Sequence, residues 1–511
     1  MKISNILLLF LIIHISSSYA QAPEIQWQKA IGGTQGDQAI SIRQTPDGGF
    51  IAAGDANSND GDVVGNHSSN FADVWIVKYD FYGNIQWQKL FGGTSSDWAN
   101  CIELTSDGGY IFTGCAISND GDVTGNDGLR DLWVVKLDAS GTMEWQKTFG
   151  GLQTEEGRCI RQVQDGGFII AGMTSGNGGD VTGFHGKYDF WILKLNNTGE
   201  LEWQKALGGS EDDQCKSIVQ CPDGSYLATG WTSSTDGDVT GMMGCYDAWI
   251  VKLNSSGTLL WQKTVGNWSC DNGSDIACTS DGGFVLAGNT MSNIPGYHDY
   301  VDFWLAKFSV TGTLEWQKAY GGSEYDECYS LEQTVDGGYV LAGYTYSDNG
   351  DVIGKHGSGD GWIIKTDPTG NLQWQKPLGG SNPDQFFCVV QSTDGGFILA
   401  GMAQSNDGDL TENKGYYDLW VVKLFPDPFL GIPDQAAGMC IFPNPVSDHF
   451  EIRFPNSEYP ENITITDLNG RIVLEYLPEN GQVNIKELKA GIYLIHAYSK
   501  NYTLRSKLIK E

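Results

Sequence analysis

Apolar residues along this chain come in short runs separated by Asp-Gly and Asn-x-x-Gly punctuation, and the runs recur in the same order seven times. The third unit shows the pattern. Cys159 to Val163 and Phe168 to Gly172 flank Gln164-Asp165-Gly166-Gly167, while Phe190 to Leu195 and Leu201 to Lys205 flank Asn196-Asn197-Thr198-Gly199. Asp-Gly supplies the positive φ that tight turns need, so each flanked pair reads as a β-hairpin and each unit as four strands. Ile169-Ile170-Ala171 and Trp191-Ile192-Leu193 are apolar at consecutive positions, which indicates sheet covered on both faces. Four-stranded units covered on both sides by their neighbours are the blades of a propeller. The predicted class is all-β: a seven-bladed β-propeller.

Three marks run in step with the pattern. Trp-Gln-Lys begins at Trp27, Trp87, Trp145, Trp203, Trp261, Trp316 and Trp374, a period of 55 to 60 residues, as in repeat arrays. An Asp-Gly-Gly or Asp-Gly-Ser turn recurs from Asp47 to Asp394, and Asp-x-Trp with an apolar run ending in Lys recurs from Asp73 to Asp418. The first unit opens with an orphan strand, Ile25 to Lys29, and the last stops at Leu424 without its own Trp-Gln-Lys strand. The simplest repair is for the first strand to complete the last blade, which hides an edge and closes a ring.

Fourteen of the 17 tryptophans occupy the two registers, as expected of side chains that pack blade on blade. The lysines are sevenfold too. Their expected arrangement lays the stems over tryptophans with the ammonium groups in water. The alternative is burial against the acid that follows each Trp-Gln-Lys strand: Asp37, Asp97, Glu155, Asp213, Asp271, Asp326 and Asp384.

Those acids lie on the segment crossing from one blade to the next, at the same end as the long second-to-third-strand loop. That loop is acidic: Asp60 and Asp62, Asp120 and Asp122, Asp236 and Asp238, Asp407 and Asp409, with relatives at Asp180 and Asp351. The other end carries only tight turns, so the elaborated end is the expected binding face. Clustered carboxylates suggest calcium, although the full ligand ladder of a calcium loop is missing and an Asx-type turn explains the same residues. The fifth unit (Ser292-Asn293-Ile294-Pro295-Gly296) lacks the element. Trp98 and Trp268, expected on loops of this face, and Trp231, just past a second strand, stand out of register and are candidates to stack on a sugar ring. His67, His185 and His356 share a register on separate blades and read as loop residues.

The chain carries 31 basic and 63 acidic residues, a formal charge of −32, which argues against nucleic acid as a partner. Residues 1–20 read as a secretory signal: Lys2, an apolar core from Ile6 to Ile13, and Ser18-Tyr19-Ala20. That core is too short to span a bilayer, no other stretch qualifies, and no Cys follows it to take a lipid. Several of the 11 cysteines fall in register on first strands (Cys101, Cys159 and Cys388; Cys215 and Cys328) and suit small core positions, so no bridge is assigned.

The propeller is expected over 21–424, a linker over 425–438 and a further domain over 439–511, where tryptophan disappears and short alternating strands begin. This last stretch contains Phe442-Pro443-Asn444-Pro445, Ile465-Thr466-Asp467-Leu468-Asn469-Gly470, Ala490-Gly491-Ile492-Tyr493 and Lys507-Leu508-Ile509-Lys510. It resembles the type A C-terminal sorting domain of the type IX secretion system. The resemblance implies a Bacteroidetes-type source, a small immunoglobulin-like β-sandwich, and handling by that machinery to the surface or medium. It also implies a domain open to removal with transfer to surface lipopolysaccharide. The repeats resemble uncharacterised propeller cargo of that system. Through Asp138-Ala139-Ser140-Gly141-Thr142-Met143-Glu144-Trp145 they also resemble the tryptophan-docking repeats of pyrroloquinoline-quinone dehydrogenases, without their Cys-x-x-Cys-His haem site.

Sevenfold monotony leaves few singular residues for catalysis, so the leading expectation is a non-catalytic module gripping glycan or protein. A carbohydrate-active hydrolase or lyase is the first alternative. A sialidase-like site wants clustered arginines, and the propeller has only Arg43, Arg130, Arg158 and Arg161. A quinoprotein oxidoreductase is the second.

Overall fold

The computed structural model describes residues 21–427 apart from residue 69 and, beyond them, 440–442, 446, 448–453, 460–466, 471–476, 482–489, 491–498 and 503–510. The signal segment, 1–20, and most of the expected linker lie outside the described residues. Contacts divide the chain between Phe425 and Pro426.

The first unit holds seven four-stranded antiparallel sheets. Blades 1 to 6 are 37–91, 97–149, 155–207, 213–265, 271–320 and 326–378, each built from four strands in sequence order. Blade 7 takes three strands from 384–424 and its outermost strand, Ile25–Ile31, from the start of the chain. Trp27 stands opposite Lys423 and Ile31 opposite Leu419 in that pairing. First strands of successive blades touch all the way round, Asp384–Gln391 against Asp37–Gln44 included, so the array is a closed propeller with the first strands lining its channel.

Second and third strands are buried along their whole length in nearly every blade, as their unbroken apolar runs require. The Asp-x-Trp indoles, such as Trp75 and Trp133, are enclosed within the blades. An enclosed indole N–H needs an acceptor, and the glutamine of Trp-Gln-Lys supplies it: Trp75 Nε1 donates to Gln88 Oε1 at 2.8 Å and Trp133 Nε1 to Gln146 Oε1 at 2.9 Å. The outer indoles dock between blades. Trp87 lies on Gly141 in the outer turn of blade 2, where φ is +77° and an added Cβ would sit 2.7 Å from the ring.

The third-strand lysines follow neither expected arrangement. Their ammonium groups are buried against the acid of the first hairpin turn: Lys78–Asp47, Lys136–Asp107, Lys194–Asp165 and Lys365–Asp336 are all 2.9 Å pairs. A lysine inside a fully covered strand reaches a polar group only at the sheet end, and the turn aspartate waits there. The acids after each Trp-Gln-Lys strand stand at the opposite end of the blade.

Each first strand carries a bulge. In blade 3 Gly157 pairs with Gly172 and Cys159 with Ala171, leaving Arg158 as the extra residue. A Cβ on Gly172 would come within 1.9 Å of the Glu156 carbonyl oxygen, so only glycine lets the strands close there. Bulges bend a strand and re-aim the extra side chain, here toward the channel.

The second unit is a small β-sandwich. Cys440–Phe442, His449–Arg453 and Gln482–Asn484 form one sheet; Ile472–Tyr476, Asn462–Thr466, Gly491–Tyr498 and Thr503–Lys510 form the other. Phe450, Ile452, Ile465, Val483, Ile495 and Leu508 share its core. Pro443, Asn444, Pro445, Asp467 and Gly470 lie outside the described residues. Gly491 opens a strand, Tyr493 donates its hydroxyl to the Lys489 carbonyl at 2.8 Å, Lys507 pairs with Leu494, and Lys510 is buried beside Val446.

Candidate ligand site in the central channel

The acids of the elaborated face hold the fold's crossings together. Asp37 Oδ2 accepts from Gly33 N at 2.8 Å and Ser58 Oγ at 2.7 Å. Asp60 accepts from Thr34 N at 2.7 Å and Asp62 from Gly32 N at 3.1 Å. The same two bonds recur for Asp120 to Thr94 and Asp122 to Gly92, for Asp236 to Ser210 and Asp238 to Gly208, and for Asp407 to Ser381 and Asp409 to Gly379. Each of these carboxylates thus gives an oxygen to a backbone N–H. Among the described residues no group of three or more His, Cys, Asp or Glu is arranged to hold a metal.

The histidines bind the next sevenfold acid. Nδ1 of His67, His185 and His356 lies 2.6, 2.8 and 3.0 Å from Asp73, Asp189 and Asp360. The remaining oxygen of each of these three aspartates is enclosed without a hydrogen-bond partner. At the equivalent position in blade 5, burial, reinforced by Asp326 and Asp351, pushes Asp302 up to about 8.

The channel breaks the monotony. Across the seven first strands the opening acid and the sixth residue, an aliphatic such as Ile42 or Ile160, repeat. The bulge residue changes from blade to blade: Asn100, Arg158, Lys216, Ser274, Tyr329 and Phe387, with Ile40 in blade 1. These residues line a cavity of about 290 Å³ together with Arg43, Glu103, Arg161, Asp275 and Glu332. Arg43 and Arg161 share Glu103, at 3.4 and 3.2 Å. Asp275 accepts from Ser217 Oγ at 2.7 Å and Leu331 N at 3.0 Å. Burial pushes Glu332 up to about 7, against the pull of Arg43 and Arg161. Burial, with Arg158 beside it, brings Lys216 down to about 8. Three of the four propeller arginines thus meet in one cavity, although two share a strand.

Arg130 lies outside this lining, bridged to Thr154 on the crossing into blade 3. It shares Glu156 with Arg158, at 3.5 and 3.1 Å, and its guanidinium lies 5.5 Å from the Trp98 ring. Trp98 belongs to the strand Asp97–Leu104 and Trp231 to Tyr226–Thr232, so neither is a loop residue. Trp231 meets Tyr246 at 5.5 Å, while Trp268 is 84% exposed on the crossing from blade 4 to blade 5. Among the described residues no ring contact joins the three. A wider groove of about 400 Å³ lies at the closing junction, between Lys29, Gly83 and Glu412, lined by the closing strand, the outer turn of blade 1 and the loop of blade 7.

The channel is not legible in what the repeats share; it lies in what differs among the seven first strands: Arg158, Lys216, Tyr329 and Phe387. Nor do the cysteine registers show the disulfide between Cys245 and Cys270, which joins blade 4 to the segment entering blade 5. The crossing at Gly266 has no aspartate pair holding it, because blade 5 lacks the acidic loop.

Residues 440–511 match the family described as the secretion system C-terminal sorting domain. The protein is therefore exported to the cell surface or the extracellular space and handled by the type IX machinery. No helix among the described residues is long and apolar enough to cross a membrane. A curated relative, the regulatory protein FlaEY of Caulobacter vibrioides, is 24% identical over 178 residues; the match covers 32% of this chain and 19% of that relative's length. Among solved structures, the Pan2 WD40 domain of Neurospora crassa is similar with TM-score 0.44 and 11% identity, over 78% of this chain and 98% of that one. The extracellular domain of the hybrid two-component system BT4673 of B. thetaiotaomicron gives 0.42 and 10%, over 96% and 60%. PorZ, a surface component of the type IX secretion system of Porphyromonas gingivalis, gives 0.28 and 10%, over 94% and 82%.

Proposed function

We propose that this exported propeller is a non-catalytic binding module that takes a glycan or surface-protein ligand in its central channel. The supporting observation is the contrast in the first strands: positions that hold blades together repeat, and positions facing the channel do not. Packing accounts for the first set, whereas a ring built only for stability has no need of Arg158, Lys216, Tyr329 and Phe387 at one level. Of the out-of-register tryptophans, Trp98 lies 5.5 Å from Arg130 and Trp268 is exposed on the elaborated face, where either could extend the contact.

One observation favours a second reading, a carbohydrate-active hydrolase or lyase. Glu332, pushed up to about 7, keeps a proton near neutrality in the same cavity as Asp275, the pairing that glycoside cleavage uses. Arrays of glycans and surface proteins probed with the full mature chain, with and without calcium, test the binding reading. A polysaccharide panel followed for released product tests the second. Binding without turnover supports the module; reproducible product release replaces it with the enzyme, and silence on every array removes it.

A further inference from the structure

Resting on that reading, we propose that the channel ligand is an anionic sugar ring, a uronate, held by its carboxylate at Lys216 and Arg158 and by its ring face on Tyr329 and Phe387. All four are bulge residues of first strands, so they stand at one level of the channel. Arg158 and Lys216 come from neighbouring blades 3 and 4; Tyr329 and Phe387 come from blades 6 and 7, across the ring. The aromatic pair is itself in contact, with ring centroids 5.3 Å apart, and Tyr344 backs Tyr329 at 5.9 Å.

The cationic side is short of acceptors. No hydrogen bond to Lys216 Nζ is made among the described residues; burial and then Arg158 oppose its charge, and Glu156 and Glu327 only partly offset them. Arg158 gives Nη2 to a glutamate that Arg130 also uses, and its Nε is enclosed with no partner. A carboxylate bound against the Lys216 ammonium and the unpartnered Arg158 Nε would supply the hydrogen-bond acceptors they lack. Asn100 Oδ1 and Ser274 Oγ complete the level as acceptors for sugar hydroxyls, their own donors being taken by Glu156, Gly157 and Asn272. A cavity of about 290 Å³ is at the lower end of ligand pockets, roughly 300–1,000 Å³, which suits one ring rather than a buried chain.

Titration calorimetry of the full chain with glucuronate, glucose and benzoate tests this. Glucuronate is expected to bind at least tenfold more tightly than either control, since glucose lacks the charge and benzoate the hydroxyls. Lys216→Gln should weaken glucuronate at least tenfold without lowering the melting temperature, and Tyr329→Leu should weaken glucuronate and glucose alike. Equal affinity for glucose and glucuronate, tighter binding of benzoate, or an unaffected Lys216→Gln variant overturns the proposal. If the arrays reveal another ligand while glucuronate stays silent, the uronate assignment falls and the binding module stands.

A separate observation carries a second inference: Cys221 and Cys278 form a disulfide in the exported protein. Their Sγ atoms lie 2.9 Å apart, Cys221 on the tight-turn rim of blade 4 and Cys278 at the end of the first strand of blade 5. At five of the seven junctions a glutamine on this rim accepts from the turn of the preceding blade, as Gln162 does from Ser106 N and Gln333 from Ser280 N. At this junction Pro222 has no N–H to donate and Cys278 replaces the glutamine. The opposite rim of the same junction lacks its acidic loop and carries the Cys245–Cys270 bridge. Both hydrogen-bonded clasps are missing at one seam, and a cysteine pair stands at each. The step is thiol–disulfide exchange: the two thiols give up two protons and two electrons, and an oxidant disulfide is reduced to two thiols. Export places the pair where such oxidants act. Peptide mapping of protein purified without reductant should show Cys221 linked to Cys278, and Cys221→Ser should lower the melting temperature. Recovery of both thiols as alkylated peptides after unfolding overturns the inference.

Discussion

The indole Nε1 of Trp420 donates to Gln28 Oε1 at 2.9 Å, a bond between residues 392 apart in the chain that repeats the local bond between Trp75 and Gln88. The ring is therefore closed by the same chemistry that joins the third and fourth strands inside every other blade. The closing strand carries the one glutamine able to satisfy the last buried indole.

Replacing Gln28 by Ala should leave that N–H without an acceptor and cost about 1–3 kcal/mol. Chemical denaturation of this variant against Gln146→Ala, its counterpart in blade 2, measures the comparison. A loss at Gln146 with none at Gln28 would mean that the first strand does not dock in solution.

Lys365 is wholly buried against Asp336 at 2.9 Å. Lys365→Ala strands a carboxylate and should cost about 3–5 kcal/mol. Lys365→Met combined with Asp336→Asn should cost less than Lys365→Ala alone, because no charge is left unpaired. Additive losses would refute the pairing.

The buried aspartates predict an unusual pH response. Asp302 at about 8, and Asp131 and Asp418 at about 6, are raised first by burial and then by neighbouring carboxylates. Between their unfolded and folded pKa values the folded state holds more protons, so stability falls as pH rises through roughly 4 to 8. The turn aspartates act in the opposite sense: the Thr279 hydroxyl and the Lys307 ammonium hold Asp281 at about 2. Their contribution is complete above the unfolded value and disappears as pH falls toward 2. The melting temperature should therefore peak in mildly acidic buffer, near pH 4–5, and decline on both sides. A maximum at pH 8 would contradict the burial of these carboxyls.

Trp268, exposed, and Trp133, enclosed, should part company. Trp133→Ala should cost about 3–5 kcal/mol, whereas Trp268→Ala should stay within about 0.5 kcal/mol. Thermal melts and array binding measured on both variants separate packing from recognition, since only Trp268→Ala can lose ligand while keeping its fold.

Local chemistry by itself determined the strands, the turns, the sevenfold count and the ring: Asp-Gly turns, two-residue periodicity and the orphan strand at Trp27 act between neighbours in sequence or between identical units. The same short-range logic carried the sorting domain, whose blocks stand in order along the chain. Tertiary structure alone decided which acid meets which lysine, that Cys245 reaches Cys270, and that Arg43, Arg158 and Arg161 share a cavity with Lys216. The physical reason is distance along the chain. Lys78 is separated from Asp47 by two strands, and Arg158 from Phe387 by four blades. The bulge that turns such residues inward is a backbone event marked in sequence only by a glycine, Gly172 and its equivalents, on the neighbouring strand.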